Sequence, residues 1–220
     1  MTNRPVALVT GATRGIGRAI AIELSSTHRI LVGGRDAARA GELVAELDDA
    51  APFVCDLADE DAVAAACAGI GRLDVLVHSA GIGRSNDIGL ASRALWREVF
   101  ETNVFAVADL TRLLLPALEA ARGIVVAINS GAGFFSSPGG GVYAGSKFAL
   151  RALTDALREE MRGKVRVCSI HPGRTDTDMQ RELQAAMGNE HYNGSCYVSP
   201  GSVAAAVRLA VDTPDNATVE

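Results

Sequence analysis

The sequence lacks the features by which several classes of protein are recognised. Its four cysteines, Cys55, Cys67, Cys168 and Cys196, form no C-x-x-C pair, which excludes a zinc or dithiol redox motif of that kind. Its 220 residues carry a net charge of −5 and no basic stretch, which disfavours nucleic acid as a partner. No apolar run is long enough to cross a bilayer, and no signal peptide precedes the first apolar strand. These absences predict a cytoplasmic protein with reduced thiols, no metal site and no membrane partner.

Short apolar runs alternate with helix-type patterns along the whole chain. The runs are continuously apolar, which is typical of strands buried on both faces of a parallel sheet. Six strands are predicted, at residues 5–9, 29–33, 52–55, 73–78, 124–128 and 165–170. Residues 1–220 are therefore predicted to form a single doubly wound α/β domain, whose ligands bind at the carboxyl ends of the strands.

A glycine-rich turn follows the first predicted strand. It reads T-G-A-T-R-G-I-G from Thr10 to Gly17, and apolar residues then recur at helical spacing. Glycines let backbone N–H groups approach a pyrophosphate at the positive end of a helix. The spacing differs from the commoner G-x-G-x-x-G, and no Gly-Lys-Ser/Thr follows as in a Walker loop. Taken alone, the turn is equally compatible with a plain connection between strand and helix.

The end of the second strand indicates which dinucleotide would bind. An acidic residue there binds the ribose 2′-hydroxyl of NAD, whereas an arginine accommodates the 2′-phosphate of NADP. Gly34 takes that position, Arg35 follows it, and Arg14 lies in the glycine turn. Asp36 complicates this interpretation, but it also suits the N-cap of the next helix. The sequence favours NADP(H), with NAD(H) as the alternative.

Tyr143 and Lys147 are four residues apart, which places them on one face of a helix. A free tyrosine holds its proton until about pH 10, and a nearby ammonium favours the phenolate. We therefore expect Lys147 to lower the pKa of Tyr143 towards neutrality, where a proton donor works best. A tyrosine packed beside a solvated lysine gives the same pattern, so the pair is weak by itself.

Together these segments resemble the classical short-chain dehydrogenase/reductase family over essentially the whole chain. The matching segments, in the family's order, are Thr10–Gly17, Asp56-Leu57, His78–Gly81, Asn103, Ser130, Tyr143-x-x-x-Lys147 and Pro172-Gly173. The resemblance implies a Rossmann fold and nicotinamide-dependent oxidoreduction of a carbonyl/alcohol pair. It implies Tyr143 as acid/base, Ser130 bonded to the substrate oxygen, and Lys147 on the nicotinamide ribose. Asn103 would hold a water that links Lys147 to solvent.

The resemblance also implies a set of cofactor contacts. Asp56 would contact the adenine, and Thr175 and Thr177 would lie near the nicotinamide carboxamide or the phosphates. The full set of expected cofactor-binding residues is Gly11, Thr13, Arg14, Gly15, Ile16, Gly17, Arg35, Asp56, Leu57, Ser79, Ala80, Gly81, Tyr143, Lys147, Pro172, Gly173, Thr175 and Thr177.

The chain departs from the family at two places. The family usually has Asn-Asn-Ala-Gly where His78 and Ser79 stand before Ala-Gly. We interpret His78 as a buried, hydrogen-bonded histidine without a catalytic role. The family also has a further strand after the segment 203–211, and we expect it to be lost or to lie beyond residue 220.

The hypothesis from sequence is an NADPH-preferring carbonyl reductase, or the reverse alcohol dehydrogenase. A 3-oxoacyl thioester is the second substrate class. A non-catalytic NADP(H)-binding sensor is the rival from another class, although such a protein would be expected to lack Tyr143 or Lys147. A structural or interaction protein is a third hypothesis, which the intact phosphate turn disfavours.

Further expectations concern the surroundings of the site. The poorly periodic segment 176–198 is expected to form a substrate lid, and Arg84 is interpreted as a surface arginine. An apolar pocket wall is expected from Phe134, Phe135, Met179, Leu183, Met187 and Tyr192. Two helical stripes are interpreted as core or as the contact of a homodimer or homotetramer; they comprise Leu110, Leu113, Leu114 and Leu118, and Phe148, Leu150, Leu153 and Leu157.

Overall fold

The fold is described from a computed structural model, which covers residues 4–186, 188–214, 217 and 219. Within them the chain forms a six-stranded parallel sheet in the order β3-β2-β1-β4-β5-β6. The strands are β1 Val6–Val9, β2 Arg29–Gly34, β3 Ala50–Val54, β4 Val75–His78, β5 Ile124–Ile128 and β6 Arg166–Ile170. The helices are α1 Gly15–Ser25, α2 Ala37–Glu46, α3 Glu60–Cys67, α4 Arg93–Phe100, α5 Ala106–Ala121, α6 Gly141–Glu160, α7 Asp178–Ala186 and α8 Pro200–Asp212.

Two apolar cores lie on opposite faces of this sheet. One packs α1 and α8 against the strands, with Ile20 and Val207 fully buried in it. The other packs α3 and α5 against the opposite face and contains Leu110. Successive residues of β1 enter different cores, Leu8 the second and Val9 the first, because side chains alternate along a strand. The predicted doubly wound α/β fold is thus confirmed.

Strand β3 begins two residues before its predicted start and contains Pro52 inside it. A proline removes a backbone N–H, which a central strand cannot tolerate. β3 is the edge strand of the sheet, and the N–H of Cys55 donates to Gly34 O of β2 at 3.2 Å. Because this pattern alternates, the nitrogen of Pro52 points to the open edge, where no hydrogen bond is lost.

The predicted leucine stripe lies on α5, and the helical region that leads into it is interrupted. Helices α4 and α5 are joined by one π-helical turn, Glu101–Phe105, which contains the buried Asn103. Such turns occur frequently at functional sites. The stripe of Leu110, Leu114 and Leu118 is fully buried against the sheet, so it belongs to the core and not to a subunit contact.

The segment 176–198 is more regular than its sequence pattern indicated. It contains helix α7 and a short 3₁₀ turn, Gly194–Cys196. The described residues after β6 hold no further strand, and none of the described helices is long and apolar enough to cross a membrane.

A buried polar pair joins β4 to α5. His78 Nε2 lies 2.8 Å from Thr111 Oγ1, and the Thr111 hydroxyl donates to Val107 O at 2.7 Å. Because Thr111 has given its hydrogen to Val107, His78 must donate, and its Nε2 carries the proton. Burial lowers the pKa of His78 from 6.5 to about 4. The interpretation of His78 as a buried, hydrogen-bonded histidine is therefore confirmed.

This burial predicts an acid-sensitive fold. The unfolded chain binds a proton at His78 below about pH 6.5, whereas the folded chain does so only near pH 4. The free energy of unfolding should therefore fall as the pH drops between those values, by up to about 1.4 kcal/mol per pH unit from this residue. His78→Gln keeps a hydrogen-bond donor but cannot titrate. When the free energy of unfolding is measured with urea at several pH values, its dependence on pH should therefore be weaker in this variant than in the wild type. The same change at the exposed His191 is the control, and equal slopes for wild type and His78→Gln would contradict the prediction.

Candidate active site

The carboxyl ends of the central strands open on a cleft of about 550 Å³. Strand β1 pairs with β2 on one side and β4 on the other, so the chain winds in opposite directions from this point and leaves a crevice there. The cleft is lined by most of the predicted cofactor-binding residues, namely Gly11, Thr13, Arg14, Gly15, Ile16, Arg35, Asp56, Leu57, Ser79, Ala80, Gly81 and Thr177.

The glycine turn closes on itself in a way that larger residues would prevent. Gly11 has φ +63°, and a Cβ there would lie 2.9 Å from the Cα of Ala80. A Cβ on Gly17 would collide with the carbonyl oxygen of Gly11. Arg14, the N-cap residue of α1, makes no side-chain bond to the first amides of the helix. The turn therefore presents bare backbone at a helix N-terminus, which fits the pyrophosphate of a nicotinamide dinucleotide.

Six of the predicted cofactor-binding residues are not among those lining the cleft. Gly17 lies inside the glycine turn, Tyr143 and Lys147 lie on α6, and the other three follow β6. Pro172 O accepts from Gly131 N at 3.1 Å, and the buried Thr175 donates its hydroxyl to Gly173 O at 3.1 Å. These residues shape the end of β6 beside the cleft.

The outer end of the cleft is rich in arginine. Arg35 is 77% exposed in its side chain and lies 3.9 Å from Asp56. Arg39, which sequence reasoning missed, lines the same cleft from the first turn of α2; its place in the helix that starts just after Arg35 was the available signal. Asp36 caps α2 as interpreted, since its carboxylate accepts from Ala38 N and Arg39 N at 3.0 and 3.2 Å.

The hydroxyl of Thr10 organises the wall formed after β4. It accepts the backbone N–H groups of Ser79 and Ala80, each at 3.0 Å, and lies 3.3 Å from Val77 O. Thr10 is buried at the end of β1. Its position at a strand end was visible in the sequence, whereas its bonding partners 69 and 70 residues away were not.

Asn103 joins the cleft wall to the helix that carries Tyr143. Its Oδ1 accepts from Ile82 N at 2.9 Å, and its Nδ2 donates to Ile82 O and to Ser146 Oγ, both at 3.0 Å. Ser146 in turn donates to the backbone oxygen of Tyr143 at 2.7 Å. Ser146 lies inside the Tyr-x-x-x-Lys motif, yet nothing in the sequence showed that it faces Asn103.

Ser130 and Tyr143 meet at the end of β5. The Ser130 hydroxyl oxygen accepts from Ala132 N at 3.1 Å, and its hydroxyl is near enough to the Tyr143 side chain to lower the pKa of that phenol. With one lone pair engaged by Ala132, the serine O–H is left to donate to Tyr143 or to a substrate oxygen.

Lys147 does not act on Tyr143 as the sequence suggested. Its Nζ donates to Ile128 O at 3.0 Å and is 5.8 Å from the centre of the Tyr143 ring. Burial raises the pKa of Tyr143, and the hydrogen bond from Ser130 lowers it by less. The expected decrease in the pKa of Tyr143 is therefore wrong for the protein without cofactor, because burial destabilises the phenolate more than these contacts stabilise it. Burial also lowers the pKa of Lys147 to about 8.

The expected apolar wall is partly assembled. Phe134 and Phe135 are 52% and 66% exposed next to Ser130, and Met179 lines the cleft close to Gly83. Tyr192 instead donates its hydroxyl to Asp176 at 2.8 Å and stacks on Tyr197, while Met187 lies outside the described residues. Arg84 is a surface arginine paired with Glu98 at 2.9 Å, as interpreted.

Comparisons with known proteins agree with this geometry. The chain matches the short chain dehydrogenase family over residues 5–188. It is 36% identical to a serine 3-dehydrogenase of Agrobacterium fabrum over 199 residues, which cover 86% of this chain and 79% of the relative. It is 35% identical to a 3-oxoacyl-acyl-carrier-protein reductase of Pseudomonas aeruginosa, with coverage of 82% and 78%.

A solved structure shows the same architecture. It is an alcohol dehydrogenase from the archaeon Thermococcus sibiricus, complexed with 5-hydroxy-NADP. It superposes with a TM-score of 0.89 at 27% identity and covers 99% of this chain and 94% of that one. With the family match over most of the chain, these similarities show that the protein belongs to the short-chain dehydrogenase/reductase family and is an oxidoreductase acting on CH–OH groups with a nicotinamide cofactor.

Proposed function

We propose that the protein interconverts ketones and secondary alcohols and prefers NADP(H) to NAD(H). The observation that carries this proposal is the contact of Ser130 with Tyr143 beside the buried Lys147, at the same sheet edge as the dinucleotide cleft. Two hydroxyls that can donate to one substrate oxygen suit a reaction in which that oxygen gains a proton.

The protein's own groups would handle the proton. A bound nicotinamide supplies or accepts the hydride. Tyr143, whose pKa is raised by burial, holds its proton at neutral pH and can donate it to a carbonyl oxygen during reduction. Ser130 would donate a second hydrogen bond to that oxygen, and Lys147 would bind the nicotinamide ribose. Asn103 would help to hold the water through which Tyr143 and Lys147 recover the proton.

The preference for NADP(H) rests on the outer end of the cleft. Arg14, Arg35 and Arg39 all line it, and their charge complements a phosphate that NAD lacks. The position at the end of β2 where an acid would bind the ribose of NAD is Gly34, and a Cβ there would lie 2.8 Å from the Cγ2 of Thr13. The methyl group of Thr13 therefore obstructs an acidic side chain at residue 34.

The substrate class is proposed from the exposed aromatic wall. Phe134 and Phe135 present apolar surface next to Ser130, which suits a ketone with an apolar substituent. A 3-oxoacyl thioester is the second candidate, favoured by the similarity to a 3-oxoacyl-acyl-carrier-protein reductase at 35% identity. The segment 176–198 would close over either substrate as a lid, tied down by Asp176, which bonds both Arg181 and Tyr192.

A homodimer is proposed from a surface that includes Phe148, one of the residues that the sequence indicated, and adds Phe105 to it. Phe105 and Phe148 are 53% and 44% exposed, on the π-helical turn and on α6. Phe100 lies 6.4 Å from Phe105 between ring centres, so the exposed rings continue an aromatic cluster. A two-fold axis that packs these two elements against their copies would bury the patch in a self-complementary contact.

Tyr143→Phe tests the proton transfer. The variant keeps the ring and removes the hydroxyl, so folding and NADPH affinity should survive while kcat with any ketone that the wild type reduces falls about 10²- to 10⁴-fold. Steady-state kinetics and NADPH fluorescence titration measure the two quantities. A variant that retains more than about a tenth of wild-type kcat would show that Tyr143 is not the proton donor. Wild-type protein that binds NADPH but oxidises it with no ketone of a broad panel would instead support the sensor.

Arg35→Asp tests the cofactor preference. Loss of a charge-assisted contact to the 2′-phosphate should raise the KM for NADPH about 10- to 100-fold and change that for NADH far less. Arg162→Asp makes the same charge change at an exposed arginine at the far end of α6, beyond the cleft, and should leave both constants unchanged. Equal KM values for NADPH and NADH in the wild type would refute the preference.

The dimer is tested by placing charge in the proposed contact. Phe105→Glu combined with Phe148→Glu should yield monomers in sedimentation at micromolar concentration, because two carboxylates per subunit would be buried against their copies. Leu209→Glu, at a position 62% exposed on α8, is the control and should remain dimeric. A wild-type monomer of 22.8 kDa, or a dimer that survives the double substitution, would count against this contact.

A further inference from the structure

We propose that His171 is a positioning residue that fixes Ser130 through its backbone oxygen. This inference rests on the proposed role of Ser130 as a hydrogen-bond donor to the substrate. His171 follows β6 directly, so it reaches across to the end of β5, where Ser130 lies. Its ring nitrogens make two contacts that together determine which of them carries the proton.

The tautomer of His171 follows from the chemistry of its partners. Nδ1 lies 3.0 Å from Ser130 O, and Nε2 lies 3.0 Å from Ser169 Oγ. A carbonyl oxygen can only accept, so Nδ1 must carry a hydrogen. In the neutral ring Nε2 is then the acceptor, and the Ser169 hydroxyl donates to it. Ser169 thereby favours the one tautomer that can bond Ser130.

The hydrogen bond from His171 adds a side-chain contact to residues 129–131, whose backbone otherwise bonds to other backbone groups at the end of the sheet. Asn129 N donates to Ile170 O at 2.7 Å, and Gly131 N donates to Pro172 O at 3.1 Å. The carbonyl of Ser130 between them accepts from Gly133 N at 2.9 Å in addition to His171. His171 therefore supplies the side-chain contact at the residue whose hydroxyl must aim at the substrate oxygen.

Packing holds the imidazole in place. The ring of Phe134 lies 4.3 Å from that of His171, centre to centre, at an interplanar angle of 43°. The guanidinium of Arg151 lies 4.4 Å from the centre of the Phe134 ring. Arg151 is two helical turns beyond Tyr143 on α6. This stack thus connects the helix that carries the tyrosine to the loop that carries the serine.

The same contacts argue against His171 as an acid or base. Both ring nitrogens are engaged by protein atoms, and Nδ1 faces a carbonyl that cannot exchange a proton with it. A residue that acts through Ser130 should affect turnover only as long as the Ser130 hydroxyl is present. That dependence distinguishes positioning from a general structural role.

The test compares two substitutions of His171. His171→Phe keeps a ring that can pack on Phe134 but removes the donor, and His171→Asn places an N–H at the same number of bonds from Cα. We expect His171→Phe to lower kcat about 3- to 10-fold, with KM for NADPH unchanged, since one neutral hydrogen bond is lost. His171→Asn should stay within about 2-fold of wild type because its donor is retained. Equal losses in the two variants would overturn the proposal.

A double-mutant cycle with Ser130→Ala supplies the second readout. In that background His171→Phe should change kcat by less than about 2-fold, because the hydroxyl that it positions is gone. The same loss in both backgrounds would mean that His171 acts elsewhere and would overturn the inference. If Ser130→Ala itself leaves kcat unchanged, the proposed function loses its serine donor, which is a separate failure.

A spectroscopic measurement tests the geometry without any substitution. Histidine ¹⁵N chemical shifts of the wild-type protein report the tautomer of each neutral ring. We expect His171 to carry its proton on Nδ1, the opposite of His78, whose proton lies on Nε2. A neutral His171 protonated on Nε2 would overturn the proposal even if both His171 variants failed to fold.

Discussion

The site depends on the buried side chain of Asn103, which is 1% exposed. Its amide bonds both backbone groups of Ile82 in the cleft wall and the hydroxyl of Ser146 on α6. Loss of this amide would remove the partner of both backbone groups of Ile82 and one of the two bonds of the Ser146 hydroxyl, which is costly where water is largely excluded. One side chain therefore sets the distance between the cofactor cleft and the helix of Tyr143 and Lys147, and the π-helical turn presents it there.

Burial, more than charge pairing, determines the protonation states of the ionisable side chains near Asn103. It raises the pKa of Tyr143 and lowers those of Lys147 and His78 to about 8 and about 4. In each case the charged form is disfavoured because it loses its hydration. Burial thereby favours the neutral forms of Tyr143, Lys147 and His78 in the protein without cofactor. A bound cofactor would change these pKa values further through its own charge.

Much of the fold and of the site could be predicted because it follows from local patterns. The continuous apolar runs identified the six strands, and the glycine turn and the Tyr-x-x-x-Lys spacing identified their loops and helix. Predictions failed where a residue's environment is set by distant segments. The spacing of Tyr143 and Lys147 predicted a lowered pKa for the tyrosine, whereas burial by surrounding segments raises it. The helical pattern before Leu110 did not reveal the π-helical turn that contains Asn103.

The sequence by itself determined which chemical groups reach the carboxyl edge of the sheet, because each follows an apolar strand and parallel strands end together. The tertiary structure alone decided how those groups bond. Thr10 holds residues almost 70 positions away, His171 reaches Ser130 across the end of the sheet, and Lys147 turns to Ile128 instead of Tyr143. Hydrogen bonds extend only about 3 Å and depend on direction, so spacing along the chain cannot specify them until packing has fixed the elements.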